Sequence, residues 1–216
     1  MPATLPGLTY DPDLACRHLT AADPRLGELM ERAGPFTMRP RPTQSLFAAV
    51  FRSIVYQQLS GKAAETIYGR VLALYRPRRF PHPEDVLATP AERLRGAGMS
   101  AAKAVAVRDL AARTLDGTVP RMREVRRMTD DEIVERLTTV RGVGRWTVEM
   151  LLLFRLGRPD VLPLGDLGVR KGFALTYGTR RVLTDPKVLS RRGERWRPYR
   201  SVASWYLWRA VDGVNG

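Results

Sequence analysis

The sequence is poor in the residues that build metal centres and disulfide frameworks. Its 216 residues include one cysteine, Cys16, and two histidines, His18 and His82. A single cysteine excludes an internal disulfide, a cysteine-based zinc site and a four-cysteine iron–sulfur cluster. Neither histidine has a partner at ligand spacing, so we expect no transition-metal site built from this chain.

Long hydrophobic segments are also missing. No continuous apolar run approaches the roughly 18 residues of a membrane span. The first six residues, MPATLP, contain neither a basic region nor an apolar core, so we expect no secretory signal. The composition, 44% hydrophobic and 27% charged, is that of a soluble globular protein. We therefore expect no membrane partner and a cytoplasmic location, with the nucleoid if the cell is bacterial.

Acidic residues are scarce relative to basic ones. The chain has 36 lysines and arginines against 22 acids, a formal net charge of +14, and only four of the basic residues are lysines. This balance points to a polyanionic partner, nucleic acid first. Genomic base composition explains arginine over lysine but not the shortage of acids. An acidic membrane fits less well, because no basic amphipathic helix with an exposed aromatic face stands out.

Helical periodicity runs through most of the chain, and no segment alternates at period two, so we predict an all-α protein. Residues that favour a helix start precede four of the predicted helices: Asp23, Ser60, Ser100 and Thr129. Thr129 and Glu132 have the spacing of a capping box. Further helices are predicted over about residues 145–156, 166–177 and 198–211.

A short turn containing two glycines, Val140-Arg141-Gly142-Val143-Gly144, separates two of the predicted helices. Glycine allows the positive φ of a very tight turn. The uncovered N–H groups at the start of the second helix, together with its dipole, form an anion site suited to one phosphate. Arg141 and Arg145 flank this turn. A Gly-X-Gly sequence alone also fits a plain turn, so the functional interpretation depends on its context.

Two stretches carry a specific resemblance. Residues 137–147, LTTVRGVGRWT, followed by residues 162–168, LPLGDLG, resemble the helix–hairpin–helix and Gly/Pro…Asp signature of the DNA glycosylase superfamily. The most similar branch is the 3-methyladenine DNA glycosylase II, or alkylation-repair, branch. Residues 54–60, IVYQQLS, resemble the segment behind that branch's wedge, and residues 196–208 resemble its C-terminal helix. The similarity covers about residues 45–212.

This resemblance implies a two-lobe helix–hairpin–helix DNA glycosylase fold. Residues 45–158 would form a helical barrel lobe with the hairpin, and residues 1–44 and 159–216 would form a second helical lobe. Larger relatives carry an extra N-terminal β domain, for which we expect this chain to be too short. DNA would lie across the mouth between the lobes. The resemblance further implies a monomer, no cofactor, and a structural monovalent cation at the hairpin backbone.

Asp166 and Trp146 carry the chemistry that the resemblance implies. A carboxylate at Asp166, the catalytic position, would stabilise the positive charge that develops on the sugar, or would orient and deprotonate the attacking water. Without the resemblance, Gly-Asp before a helix is usually only an N-cap. Trp146 stands where lyase-capable branches carry the lysine that forms a Schiff base. With no amine there, we expect a monofunctional enzyme that leaves an abasic site.

The remaining candidates form a base pocket and a DNA-contacting surface. The pocket candidates are Trp146, Trp208, Trp205, Tyr56 and Met150. An aromatic face binds a cationic alkylated purine well, although core packing is the alternative for the tryptophans. Met150 stands where some relatives have a tyrosine, which bears on the size of the pocket. The DNA-binding candidates are Gln58, Arg141, Gly142, Val143, Gly144 and Arg145.

Gln58 falls at the wedge position, where a glutamine can fill the gap left by a flipped base and hydrogen-bond the orphaned partner. Two arginine clusters are either phosphate contacts or solvated faces: Arg76, Arg78 and Arg79, and Arg191, Arg192, Arg195 and Arg197.

The predicted function is hydrolysis of the N-glycosidic bond of alkylated bases, such as 3-methyladenine and 7-methylguanine, in double-stranded DNA during base excision repair. A bifunctional glycosylase/lyase acting on oxidised bases is one alternative, and Trp146 in the lysine position counts against it. A non-enzymatic helix–hairpin–helix DNA-binding protein is the other, and it leaves the aromatic set unexplained.

The charge and the hairpin predict a strongly electrostatic interaction with DNA. Because the net charge is +14, affinity should fall steeply with salt, with a log–log slope of several. Gly142→Asp should weaken binding to damaged and undamaged duplex alike, since it brings a carboxylate to the anion site. Titration of a fluorescent duplex at several salt concentrations measures both effects, and a flat salt response would contradict the prediction.

Overall fold

The computed structural model of this chain describes residues 7–41, 43, 45–178 and 183–213. These residues form α-helices joined by turns, with a single-turn 3-10 helix and no β-strand among them, as predicted. None of their helices is long and apolar enough to cross a bilayer.

The chain divides into two compact units. Segments 1–42 and 152–216 form one, which we call the terminal unit, and segment 43–151 forms the other, the central unit. The predicted lobes, with boundaries at 45 and 158, differ from this division chiefly in the assignment of residues 152–158. The predicted lobe boundaries stay a prediction.

Seven helices belong wholly to the central unit: α3 (Leu46–Tyr56), α4 (Gly61–Ala73), α5 (Pro83–Ala88), α6 (Ala91–Gly96), α7 (Ala101–Leu115), α8 (Met122–Val125) and α9 (Asp130–Thr138). Helix α10 (Arg145–Phe154) begins there and ends in the terminal unit. The terminal unit contains α1 (Pro12–Ala22), α2 (Pro24–Ala33), α11 (Leu167–Tyr177), α12 (Pro186–Gly193), the 3-10 turn Glu194–Trp196 and α13 (Arg200–Asp212).

The predicted capping residues begin their helices. The side chains of Asp23, Ser60, Ser100 and Thr129 each accept a backbone N–H from the first turn that follows. Glu132 completes the capping box, with its Oε2 2.7 Å from the Thr129 nitrogen. Four helices, α1, α5, α8 and α12, were not predicted. Two of them begin with the same Asp-Pro pair as α2, so the signal was present.

Helix α3 buries most of its apolar side chains in the core of the central unit. Its apolar run includes Phe51 and Ile54, which are fully buried, and α3 packs against α7, whose Val107 and Leu110 are also fully buried. The Phe80 ring packs edge-on against Phe51 at 5.5 Å. This packing fixes the C-terminal end of α3 beside the first turn of α7.

In the terminal unit, α13 packs against α1, α2 and most extensively α11. The contact between α11 and α13 is a backbone approach at Gly172. A methyl group added there would overlap the carbonyl oxygen of Leu207. Only glycine permits this approach, which brings the next residue of α13, Trp208, to the start of α11.

Asp23 joins three elements of the terminal unit. Its side chain is fully buried and accepts hydrogen bonds from Arg192 Nε at 2.7 Å, Tyr177 Oη at 2.8 Å and Trp196 Nε1 at 3.0 Å. Burial by itself would raise the pKa of Asp23, but the hydrogen bonds from Arg192, Trp196 and Tyr177 outweigh it and lower the pKa to about 2. This network connects α2 with α11 and α12.

The network also settles what Arg192 does in the folded chain. Its guanidinium forms two hydrogen bonds to the buried Asp23 carboxylate, so Arg192 has a structural role in the terminal unit. Arg197, from the same predicted cluster, pairs with Glu194 at 2.8 Å and Asp160 at 2.6 Å. Both arginines therefore form ion pairs within the terminal unit.

Asp23→Asn should destabilise the fold by about 3 kcal/mol at neutral pH, because it leaves a partly buried arginine without its counter-charge. Since the folded pKa of Asp23 lies below the unfolded one, the stabilisation exists above about pH 4 and is lost as the pH falls towards 2. Stability of the Asn variant should change less over that interval. Urea unfolding at pH 7, 4 and 2.5 measures both effects.

Asp13→Asn, at an exposed position in the first turn of α1, is the matched control. Equal losses in the two variants, or an Asp23→Asn variant as stable as wild type, would contradict the assignment of Asp23.

Candidate functional site

The glycine turn between α9 and α10 has the predicted hairpin form. Gly142 has φ +74°, in the left-handed region, and the Val143 N–H closes the turn on the Val140 carbonyl at 3.1 Å. The Val143 side chain is buried, whereas Gly142 and Gly144 are exposed. The first N–H groups of a helix have no acceptor within the helix, so the start of α10 suits an anion.

Acidic side chains already occupy part of this hairpin. The Arg141 N–H donates to Asp109 Oδ2 at 2.8 Å, so one amide of the hairpin turn has a protein acceptor. The Arg145 guanidinium lies 3.0 Å from Glu149 and 3.6 Å from Asp131. Arg145 is therefore compensated by two carboxylates. The Arg141 side chain, by contrast, is exposed.

A pocket of about 550 Å³ opens beside the hairpin, within the central unit. It is lined by Ser53, Tyr56, Gln57, Gln58, Gly142, Trp146, Thr147 and Met150. Five residues predicted from the sequence thus lie together: Tyr56, Gln58, Gly142, Trp146 and Met150. The Trp146 side chain is 50% exposed, whereas Trp196 is fully buried, so Trp146 does not have the burial of a core tryptophan.

The Tyr56 ring already has a cation on one of its faces. The Arg52 guanidinium lies over the Tyr56 ring, 3.8 Å from its centroid. This cation occupies one aromatic face and disfavours a second positive charge there.

Two consecutive glutamines follow α3. Gln57 Nε2 donates to the Gly142 carbonyl oxygen at 2.9 Å and so connects the end of α3 to the hairpin. Gln58 is exposed, and with φ +56° it is the only non-glycine residue at positive φ in the described part of the chain. Gln57 was not predicted from the sequence, because a hydrogen bond between distant residues leaves no local pattern.

In the terminal unit, Asp166 is the N-cap of α11. Its Oδ1 accepts the Val169 N–H at 2.8 Å and the indole N–H of Trp208 at 2.8 Å, and the residue is 9% exposed. Two N–H donors are directed at this oxygen, which lies at the positive end of the α11 dipole. The Trp208 ring is stacked against Phe154 with centroids 5.6 Å apart.

Trp205, predicted with Trp208 for the pocket, takes the packing role that the sequence also allowed. Its ring lies edge-on to Phe36 at 5.0 Å and to Tyr206 at 4.8 Å, on the core of the terminal unit. The Arg209 guanidinium lies 5.8 Å from its centroid. Of the two tryptophans of α13, Trp208 is the one that contacts Asp166.

The comparisons with known proteins agree with these features. Residues 51–198 match the model of the HhH-GPD superfamily of base excision DNA repair proteins. The chain belongs to this family, which confirms the family resemblance carried by the hairpin and the Gly165-Asp166 motif.

Particular relatives are also similar over most of their length. The chain is 35% identical to DNA-3-methyladenine glycosylase 1 of Schizosaccharomyces pombe over 89% of this chain and 84% of that protein. The crystal structure of a Bacillus halodurans DNA-3-methyladenine glycosidase matches with a TM-score of 0.84 and 36% identity, covering 93% and 90% of the two chains. An S. pombe 3-methyladenine DNA glycosylase in complex with abasic DNA matches with a TM-score of 0.78 and 33% identity, covering 90% and 95%.

Gly168→Ala should disturb the Asp166–Trp208 pair. A methyl group there would lie 2.7 Å from Trp208 Cδ1 and 3.1 Å from Asp166 Oδ1. We expect a loss of about 1–3 kcal/mol in unfolding free energy, as is usual for overpacking. The indole N–H resonance of Trp208 should also shift in the NMR spectrum. Gly165→Ala is the matched control, because a methyl group there meets nothing within 4 Å. Equal behaviour of the two variants would contradict the role of Gly168.

Proposed function

We propose that this protein is a monofunctional DNA glycosylase. It hydrolyses the N-glycosidic bond of alkylated bases, of the 3-methyladenine and 7-methylguanine class, in double-stranded DNA. The observation that carries the proposal is the carboxylate of Asp166, held at the start of α11 by the Val169 and Trp208 N–H groups. The relatives named as DNA-3-methyladenine glycosylases support the substrate class.

Asp166 acts on the sugar in this proposal. As the bond from C1′ to the base nitrogen breaks, its electron pair leaves with the base and positive charge builds on the sugar. A fixed carboxylate stabilises that charge. Water then adds to C1′ and gives up a proton, leaving an abasic sugar. An alkylated purine is already cationic and departs neutral, so the reaction needs no strong general acid.

Trp146 binds the damaged base, with Met150 and Tyr56 in the same pocket. An indole offers the strongest cation–π surface among the aromatic side chains, which favours a cationic lesion over a neutral oxidised base. Trp146 also supplies no amine, so a Schiff base with the sugar has no nucleophile at this position. These features favour hydrolysis over the glycosylase/lyase alternative.

The central unit also supplies the contacts to DNA. The first turn of α10 and the exposed Arg141 bind a backbone phosphate, and Gln58 fills the gap left by the flipped base. A monovalent cation at the hairpin would be held by neutral carbonyl oxygens. Those of Val140 and Gly142 each already accept one hydrogen bond and keep a second lone pair.

We also propose that the protein acts as a monomer.

Asp166→Asn should abolish excision while keeping the fold, because asparagine is an equally good N-cap but carries no charge. We expect a rate loss on the order of 10² or more, or roughly 3 kcal/mol of transition-state stabilisation. The measurement is single-turnover release of 7-methylguanine and 3-methyladenine from a methylated duplex, with strand breaks counted before and after alkali.

Asp185→Asn is the matched control, since Asp185 is an exposed N-cap of α12 in the same unit. It should excise at the wild-type rate. Breaks should appear only after alkali, and borohydride should trap no covalent complex. An Asp166→Asn variant as active as wild type, breaks without alkali, or excision of 8-oxoguanine alone would overturn the proposal.

A further inference from the structure

A lysine side chain donates hydrogen bonds to carbonyl groups at the C-terminal end of α3. The Lys103 ammonium, from the first turn of α7, donates to the Val55 carbonyl oxygen at 2.8 Å and to the Gln57 carbonyl oxygen at 2.7 Å. No carboxylate lies within ion-pair distance of this ammonium among the described residues. Its charge is instead offset by the negative end of the α3 dipole. Partial burial lowers the pKa of Lys103, in keeping with this enclosed position.

The two contacts of Lys103 hold a residue that is also held from its other end. The carbonyl of Gln57 accepts from Lys103, and its side-chain amide donates to the hairpin at Gly142. Gln57 is therefore fixed by α7 on one side and by the hairpin on the other. Because Gln57 is fixed at both ends, the backbone that leads into Gln58 starts from a fixed position.

Gln58 needs such support because its backbone is strained. A glutamine at φ +56° occupies the left-handed region that favours glycine, and its side chain is exposed at the rim of the pocket lined by Trp146. Strained residues persist only when their surroundings over-determine them. The conformation sends a long amide side chain into solvent beside the place where we propose that the base is bound.

We propose that Lys103 is the positioning residue for Gln58: by holding the Gln57 carbonyl, it keeps Gln58 in the left-handed conformation that fills the duplex gap during base extrusion. This inference rests on the proposed glycosylase function. Lys103 itself touches neither base nor sugar in this account. Its Gln57 contact also links the gap-filling residue to the hairpin, so DNA binding and gap filling share one rigid support.

A purely structural role for Lys103 predicts a different outcome. If the ammonium only capped α3, its loss would lower stability and would reduce activity by the same factor whatever residue stood at position 58. If Lys103 acts through Gln58, its loss should matter only while Gln58 is present. A double-mutant cycle separates the two cases.

The experiment compares wild type, Lys103→Met, Gln58→Ala and the double variant. Single-turnover release of 7-methylguanine is measured from duplex DNA and from the same strand without its complement. On duplex, Lys103→Met should slow release about tenfold, a loss in the range expected for a misplaced group. In the Gln58→Ala background the same change should cost less than about twofold. On single-stranded DNA, which has no gap to fill, it should cost less than about twofold in either background.

Two further variants keep the test decisive. Lys187→Met removes an equal charge from an exposed first turn of α12 and should excise like wild type. Lys103→Arg keeps the charge but changes the donor geometry; it replaces Lys103→Met in the cycle if that variant does not fold, and the same dependence on Gln58 is then expected.

Equal losses from the Lys103 change in both Gln58 backgrounds, a loss that is the same on single strands, or no loss at all would overturn this inference. Wild-type protein that releases no alkylated base from either substrate would instead overturn the proposed function, so the two failures are distinguishable.

Discussion

The hydrogen bond from the Trp208 indole to Asp166 depends on two places where a side chain is absent. Gly172 lets the backbones of α11 and α13 meet at Leu207, and Gly168 leaves room for the indole over the first turn of α11. Without either space, Trp208 could not reach the carboxylate. The acid is thus fixed by an N–H from its own helix and by one from its neighbour. A carboxylate held in this way pays no reorganisation cost when charge develops next to it.

In the central unit, the hairpin that we propose as the phosphate site lies close to several acids. The chain as a whole is strongly basic. Nevertheless, Asp109 accepts a hydrogen bond from an amide of the hairpin turn, and Glu149 accepts one from the guanidinium of Arg145. These contacts order the turn and reduce its local side-chain charge. In the proposed contact with DNA, oriented backbone dipoles would supply the local attraction, and the net charge would act over a longer range.

Local chemistry made much of this structure predictable. The helix starts at Asp23, Ser60, Ser100 and Thr129 follow from side chains that cap their own backbone, and that interaction is visible within four residues of sequence. The unpredicted α1 and α12 carry the same Asp-Pro signal as α2. Family motifs pointed to Asp166 and Trp146, and the structure shows the first as an N-cap and the second on a pocket wall.

What could not be predicted involves residues far apart in the chain. Lys103 belongs to no motif, and the family segment that contains Gln57 gives that residue no role. Their contact becomes visible only when α3 and α7 pack together. A spacing of three places Trp205 and Trp208 on one helix face but does not say which ring reaches the Asp166 carboxylate. Charge runs likewise gave no means of separating Arg192, which binds buried Asp23, from a solvated arginine.

The central claim is that the Asp166 carboxylate stabilises positive charge on the sugar. The most direct measurement compares binding of two duplexes, one with a cationic pyrrolidine in place of the damaged sugar and one with a neutral tetrahydrofuran abasic site. Wild-type protein should prefer the cationic analogue by a factor on the order of 10² or more, as transition-state analogues do. Asp166→Asn should lose this preference while binding the neutral site normally. An undiminished preference in the Asn variant would contradict the account.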